Sequence, residues 1–265
     1  MLPSLRGDPG RPVALRDTFR LLRESGFAGV EVRGSMNQRE VLAARDASGL
    51  EIPSVVVAAH WTHPLTSPNP STRAKGLEGL CQALRDAKAY GADSVLLVPG
   101  VVNREIPYDA ALARATTEIR AALPLAESLG VAIAIENVWN KFLLSPLEAV
   151  AFVDAFQSPW VRWHFDVGNV VDTGWPEQWI RLLGPRIVKV HVKEYSRQIR
   201  DERGPRHGFE AALMTGDNDW PAVLRALDEV GYSGWMITEQ HRPPGLSDAA
   251  WLQRLSGELD RLLAL

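Results

Sequence analysis

The sequence predicts an α/β fold: a (β/α)8 TIM barrel, built as one domain over residues 1–265, with a short or imperfect first strand. Three observations predict it. Apolar, strand-like runs alternate with helical runs along the whole chain, which is the pattern of a parallel sheet covered by helices. The length of 265 residues is close to the roughly 250 that such a barrel takes. Four consecutive runs in the second half end on an acidic residue or a histidine, and barrel strands carry their chemistry at their C-terminal ends. An open, doubly wound sheet is the competing architecture, but no glycine-rich phosphate turn follows the first run.

The elements follow in order. Residues 1–5 are a short run followed by Gly7, Pro9, Gly10 and Pro12, so the first strand is expected to be clipped. Leu15, Phe19 and Leu22 recur at helical spacing over 14–25, and Gly26 closes that helix. Residues 28–33 read as a strand, 37–48 as a helix ended by Gly49, and 52–59 as a strand leading into His60 and Trp61. The Pro/Ser/Asn-rich residues 62–70 form a loop. A long helix over 71–90 ends at Gly91, and 94–98 is a strand. Residues 110–129 are helical, with a bend expected at Pro124. After the strand 131–136, Ser145, Pro146 and Glu148 make a capping box with proline in the first turn, opening a helix to about residue 156. Strands at 161–166 and 187–191 flank a helix over 176–183, and a Gly/Pro/Arg-rich loop spans 196–216. Asp219 opens a helix to 230; the last strand is 235–239 and the last helix 246–263.

Composition narrows the class. The chain is 46% hydrophobic and 23% charged, as ordinary globular proteins with a large core are. Its net charge of −3 gives no basic surface for nucleic acid. With one cysteine there is no internal disulfide, and Cys81 falls in the apolar stripe of a helix. No apolar run reaches the length of a membrane span and no signal-peptide pattern opens the chain, so a cytoplasmic enzyme is expected.

The four informative strand ends are Glu136, Asp166, His191 and Glu239. On consecutive barrel strands they converge on one arc of the rim. Three carboxylates and one imidazole make a hard, oxygen-rich site. It suits one divalent metal ion, Mn²⁺ or Mg²⁺ first, with Co²⁺ or Zn²⁺ as the alternatives. Such an ion stabilises the enediolate formed when a carbon beside a carbonyl loses its proton. Glu136 and Glu239, on opposite sides, then serve as base and acid. A proton taken from one face and returned on the other epimerises the carbon; returned to the neighbouring carbon, it isomerises the sugar.

The residues 135–142 (IENVWNKF), 165–169 (FDVGN), 190–197 (VHVKEYSR), 216–220 (GDNDW) and Thr238–Glu239 carry a resemblance. The chain resembles the sugar phosphate isomerase/epimerase family of xylose-isomerase-like TIM barrels, and within it the ketose 3-epimerases. The resemblance implies that Glu136, Asp166, His191 and Glu239 bind the metal and that the two glutamates exchange protons with the substrate. It also implies that Arg197 contacts substrate oxygens. Asn169 stands where many relatives have a histidine that touches the sugar. The likeness is to the branch acting on L-ribulose or L-xylulose 5-phosphate, and relatives are often dimers or tetramers.

Other residues are weighed beside these. Glu31 is a candidate for a sugar hydroxyl, against an exposed ion pair with Arg33. His60 is a candidate to face the substrate, and Trp61 and Trp139 to wall the pocket. His164, two residues before Asp166, shares its face but lies deeper, and Glu194 and Tyr195 read as structural. His207 is a candidate to reach the pocket from the long loop, and Lys141, Lys193, Arg206 and Arg242 to meet a phosphate; spacing does not choose among them. The leading expectation is a metal-dependent ketose or ketose-phosphate 3-epimerase. An aldose–ketose isomerase, or a lyase or dehydratase acting beside a carbonyl (the 3-keto glycoside type), would use the same site. Phosphodiester cleavage wants several clustered metals with many more histidine ligands, against 6 histidines in the whole chain and a net charge of −3. A sugar-binding module without catalysis would not need both glutamates.

Overall fold

The computed structural model describes residues 13–265; the strand expected over residues 1–5 lies outside them. Among the described residues the strands are β1 (Val32–Arg33), β2 (Ser54–Val56), β3 (Ser94–Leu97), β4 (Ala132–Glu136), β5 (Val161–Asp166), β6 (Ile187–Val192) and β7 (Met236–Thr238). They form one sheet in sequential order, β1 to β7, with every pairing parallel. The sheet curls far enough that Glu31, just before β1, hydrogen-bonds to His191 on β6.

The helices are α1 (Leu15–Glu24), α2 (Gln38–Ser48), α3 (Pro70–Tyr90), α4 (Tyr108–Leu129), α5 (Pro146–Asp154), α6 (Gly168–Val171), α7 (Pro176–Leu183), α8 (Arg197–Arg203), α9 (Trp220–Glu229) and α10 (Asp248–Leu263). Their starts are chemically marked. Asn37, Asn69, Ser145, Ser196, Asp219 and Ser247 each accept a backbone N–H in the first turn of the helix that follows. Side chains alternate across each strand. Ile133, Ile135, Trp163 and Phe165 take one face, fully buried in the main apolar core. The other face, inside the curl, is left for Glu136, His164 and Asp166.

Three expectations are corrected. The strands at 28–33 and 52–59 are shorter than their apolar runs; Gly29 meets Glu51 only in an isolated bridge. Helix α4 continues through Pro124 to Leu129 and starts two residues before the expected 110. The segment 196–216 is not a plain loop: it holds α8 and a 3-10 helix, Pro205–Glu210. Its anchor is Glu194, fully buried, whose carboxylate accepts from the backbone N–H groups of Tyr195, Met214 and Asn218, from the Asn218 amide and from Trp220 Nε1. Five donors replace the water that a buried charge gives up. Gly216 makes the approach possible, because a Cβ there would sit 2.6 Å from Glu194 Oε1.

Candidate active site

Strand register sets the height of each site residue. Glu136 lies beside His164, Asp166 beside His191, and Val192 beside Thr238, which puts Glu239 next to Lys193. A register shift between Trp163 and His164 adjusts β5 against β6 just below Asp166. Such irregularities commonly re-aim side chains beside functional sites. Glu239 N donates to Val192 O at 3.1 Å and so continues the ladder past β7.

His191 is the centre of the cluster. Its Nδ1 lies 3.0 Å from Glu136 Oε1, 3.8 Å from Asp166 Oδ2 and 3.8 Å from Glu239 Oε2. Its Nε2 lies 3.0 Å from Glu31 Oε2. Burial works against charge on this imidazole, but Glu31 and Glu136 outweigh it and raise its pKa to about 10. Glu136 goes the other way. Burial pushes its carboxyl up to about 7 with the help of Glu239 and Asp166, despite His191. For Glu239, burial also favours the neutral form, yet Lys193 and His191 hold its carboxyl below the ordinary value.

Asp166 is fixed by its neighbours rather than by a cation alone. Asn137 Nδ2 donates to Asp166 O at 2.7 Å, while Asn137 Oδ1 accepts from Asp166 N at 3.0 Å and Trp163 Nε1 at 3.1 Å. Asn169 N donates to Asp166 Oδ1, and Asn169 Nδ2 to Asn137 O, both at 2.9 Å. Asn137 was not singled out in the sequence. Its signal was its place directly after Glu136. Lys193 Nζ lies 2.9 Å from Asp166 Oδ2 and also pairs with Glu239. Burial opposes its charge, but the carboxylates around it raise its pKa well above the ordinary lysine value. Lys193 therefore joins the carboxylate cluster, on oxygens that would also hold a cation. Gly168 permits this closeness: a Cβ there would meet Lys193 O at 2.6 Å.

A cleft of about 850 Å³ opens over the cluster, lined by Glu136, Glu239, Lys193, His60, Trp61, Trp139 and Asn169, among others. Trp61 and Trp139 are large apolar groups left exposed there. Trp139 packs on Phe209 at 4.9 Å between ring centroids and donates through Nε1 to Asn169 O. Phe209, in the 3-10 helix, is a wall residue that the sequence did not reveal.

Two expected substrate contacts stand elsewhere. Arg197 is not among the residues lining this cleft. Its Nε donates to Val171 O at 3.1 Å and its Nη2 to Gly174 O at 3.4 Å. The short helix α6 ends there with carbonyls lacking helical partners, and the guanidinium satisfies them. Glu31 is neither a rim ligand nor an exposed partner of Arg33. It is fully buried, and both the His191 charge and the His164 ring lie beside it. Burial opposes its charge, but His191 reverses the effect and holds the carboxyl far below the ordinary range. His164 is buried too, 4.1 Å from His191 between ring centroids, with neither nitrogen hydrogen-bonded.

The donor set fits a divalent cation. One ligand atom from each of Glu136, Asp166, His191 and Glu239 lies within 4.8 Å of the others. Three of the four are oxygen donors, and the Lys193 ammonium already sits against two of them. Opposite His191, Glu31 occupies the position from which a carboxylate fixes a metal-binding imidazole.

Residues 19–256 match the Xylose isomerase-like TIM barrel family. The chain belongs to that family. Among its relatives, the L-ribulose-5-phosphate 3-epimerase UlaE of Salmonella paratyphi A is 26% identical over 209 residues, covering 77% of this chain and 70% of that protein. The same enzyme from Salmonella choleraesuis is 27% identical over the same shares. The fold is similar to that of the 3-keto-D-glucoside 4-epimerase YcjR of E. coli, with a TM-score of 0.79, 16% identity and full coverage of both chains. It is similar again to L-ribulose 3-epimerase, with a TM-score of 0.78, 18% identity, and 99% of this chain and 91% of that one covered. These relatives and structural neighbours are named as epimerases, a class of isomerase. Among the described residues, no helix is long and apolar enough to cross a membrane.

Proposed function

We propose that this chain is a divalent-metal-dependent 3-epimerase of a ketose or ketose phosphate. One observation carries the reading. Two glutamates, Glu136 and Glu239, stand on either side of one histidine–aspartate pair and line a sugar-sized cleft. A carboxyl on each side of a bound sugar can supply an acid and a base. An ion held by Glu136, Asp166, His191 and Glu239 would supply electrostatic stabilisation of negative charge on the ketose oxygens.

The remaining work falls to the chain. One glutamate removes the C3 proton while the other delivers a proton to the opposite face, and the roles exchange in the reverse direction. Trp61 and Trp139 offer apolar faces to the C–H surface of the sugar and narrow the access of water. Asn169, with its Nδ2 held by Asn137 O, is left to accept from a hydroxyl through Oδ1. The four basic candidates for a phosphate are now separated. Lys193 is paired within the cluster, Arg242 pairs with Asp248 and Leu246 O, and Lys141 does not line the cleft. Arg206 lines it without a hydrogen bond or ion pair among the described residues, which favours a phosphorylated ketose.

The test is proton exchange in D₂O over free and phosphorylated ketoses, followed by NMR. We expect deuterium at C3 with accumulation of the C3 epimer, faster for a ketose phosphate. Label at C1 with an aldose product, or an eliminated enone, would replace this reading with isomerisation or elimination. The family fold and relatives named as sugar epimerases support a small sugar as the partner. A cytoplasmic dimer or tetramer is our expectation for its setting.

A further inference from the structure

We propose that His60 is a fixed hydrogen-bond donor to a ketose oxygen: the Val98 backbone N–H occupies Nδ1, so the ring's one proton sits on Nε2 and faces the cleft. The inference rests on the epimerase reading for the identity of the ligand, and on geometry alone for the state of the ring.

The geometry leaves little freedom. Val98 N lies 3.2 Å from His60 Nδ1, and a peptide N–H only donates. Nδ1 must then carry a lone pair, and a neutral imidazole with that arrangement has its proton on Nε2. His60 is buried, with 6% of its surface exposed, and it lines the cleft. Among the described residues Nε2 has no hydrogen-bond partner, yet it is not enclosed within the protein. A buried ring held at one nitrogen and open at the other is pre-oriented for a ligand, so little entropy is lost when the bond forms. Trp61 packs edge-on at 5.4 Å between centroids and restrains the ring further.

The surrounding charges keep the ring neutral. Burial disfavours its cation, and Arg33 adds to this, while Glu31 pulls the other way; the balance lowers the pKa to about 4. Across the cleft stand Lys193, Glu136 and Glu239. Protonating His60 would also turn Nδ1 into a donor facing the Val98 N–H, which breaks that bond. His60 thus supplies one donor without changing charge near neutral pH. It complements Asn169, whose free amide oxygen accepts. It is not a third acid or base.

The experiment uses ¹⁵N-histidine-labelled full-length protein. Long-range ¹H–¹⁵N spectra are expected to show Nδ1 unprotonated and Nε2 protonated from pH 6 to 8, with the Nε2 signal shifting when a turned-over ketose is added. His60→Gln, which keeps an N–H donor, is expected to hold KM within a few-fold. His60→Leu is expected to raise KM about tenfold, the size of one lost hydrogen bond. A protonated Nδ1, a ring titrating between pH 6 and 8, or an unchanged KM in a folded His60→Leu variant would overturn the assignment. If the wild-type chain turns over no ketose, the epimerase reading and the substrate contact both fall, while the nitrogen spectra still decide the ring state.

Discussion

Glu239→Gln is expected to lower epimerisation by about 10²–10⁴-fold, the range that a positioned proton-transfer group contributes. The amide preserves size and one carbonyl oxygen, so the cluster should keep its packing. What disappears is the group that takes or gives a proton on one face of the sugar. The result should be asymmetric. The epimer whose C3–H faces Glu136 keeps solvent exchange, because Glu136 still removes and returns that proton. Exchange from the other epimer slows, and conversion falls in both directions. Glu136→Gln should show the mirror image. Deuterium wash-in, measured from each epimer separately, reads this directly. Normal turnover by Glu239→Gln would remove its acid/base role.

Glu31→Leu is expected to weaken binding of a divalent ion by 10–100-fold, the usual cost of losing a residue that orients a metal-binding histidine. Glu31 Oε2 accepts from His191 Nε2 at 3.0 Å, and Oε1 lies 3.9 Å from His164 Nδ1. Leucine leaves the imidazole free to turn and strands a buried N–H, a loss of about 1–3 kcal/mol by itself. Glu31→Gln keeps an acceptor oxygen and gives up only the charge, so its effect should be smaller. Calorimetric titration with Mn²⁺ on both variants, with circular dichroism as the control for folding, gives the comparison. Equal affinity in wild type and Glu31→Leu would show that His191 is oriented without Glu31.

The two predictions divide along the line between what the chain's order reveals and what only its folding does. The four candidate ligands were legible because each closes an apolar strand run, and barrel topology sends successive strand ends to one rim. Glu31 was visible as a polar residue in such a run, but not its role. Its partner lies 160 positions away, and no spacing rule links the region before β1 to β6 across the interior. The surroundings of Lys193 and Arg197 were hidden for a related reason. A basic residue near a metal ligand looks alike in sequence whether it meets a phosphate, a carboxylate cluster or orphan carbonyls at the end of α6. The segment 196–216 read as a loop because its glycines and prolines outweigh weak helical periodicity. The buried Glu194 carboxylate, which organises it, acts through backbone donors that carry no sequence signature. His60 was picked out as a residue after a strand run, but its tautomer depends on the Val98 backbone, which only the pairing of β2 with β3 brings near.

Everything turns on whether Glu136, Asp166, His191 and Glu239 share one divalent ion. Equilibrium dialysis of the chelator-stripped protein against Mn²⁺, with metal counted per chain, tests this most directly. We predict one Mn²⁺ per wild-type chain, lost in both Asp166→Asn and His191→Leu at the same free metal concentration. Stripped wild-type protein that binds no Mn²⁺, or variants that bind as the wild type does, would contradict it.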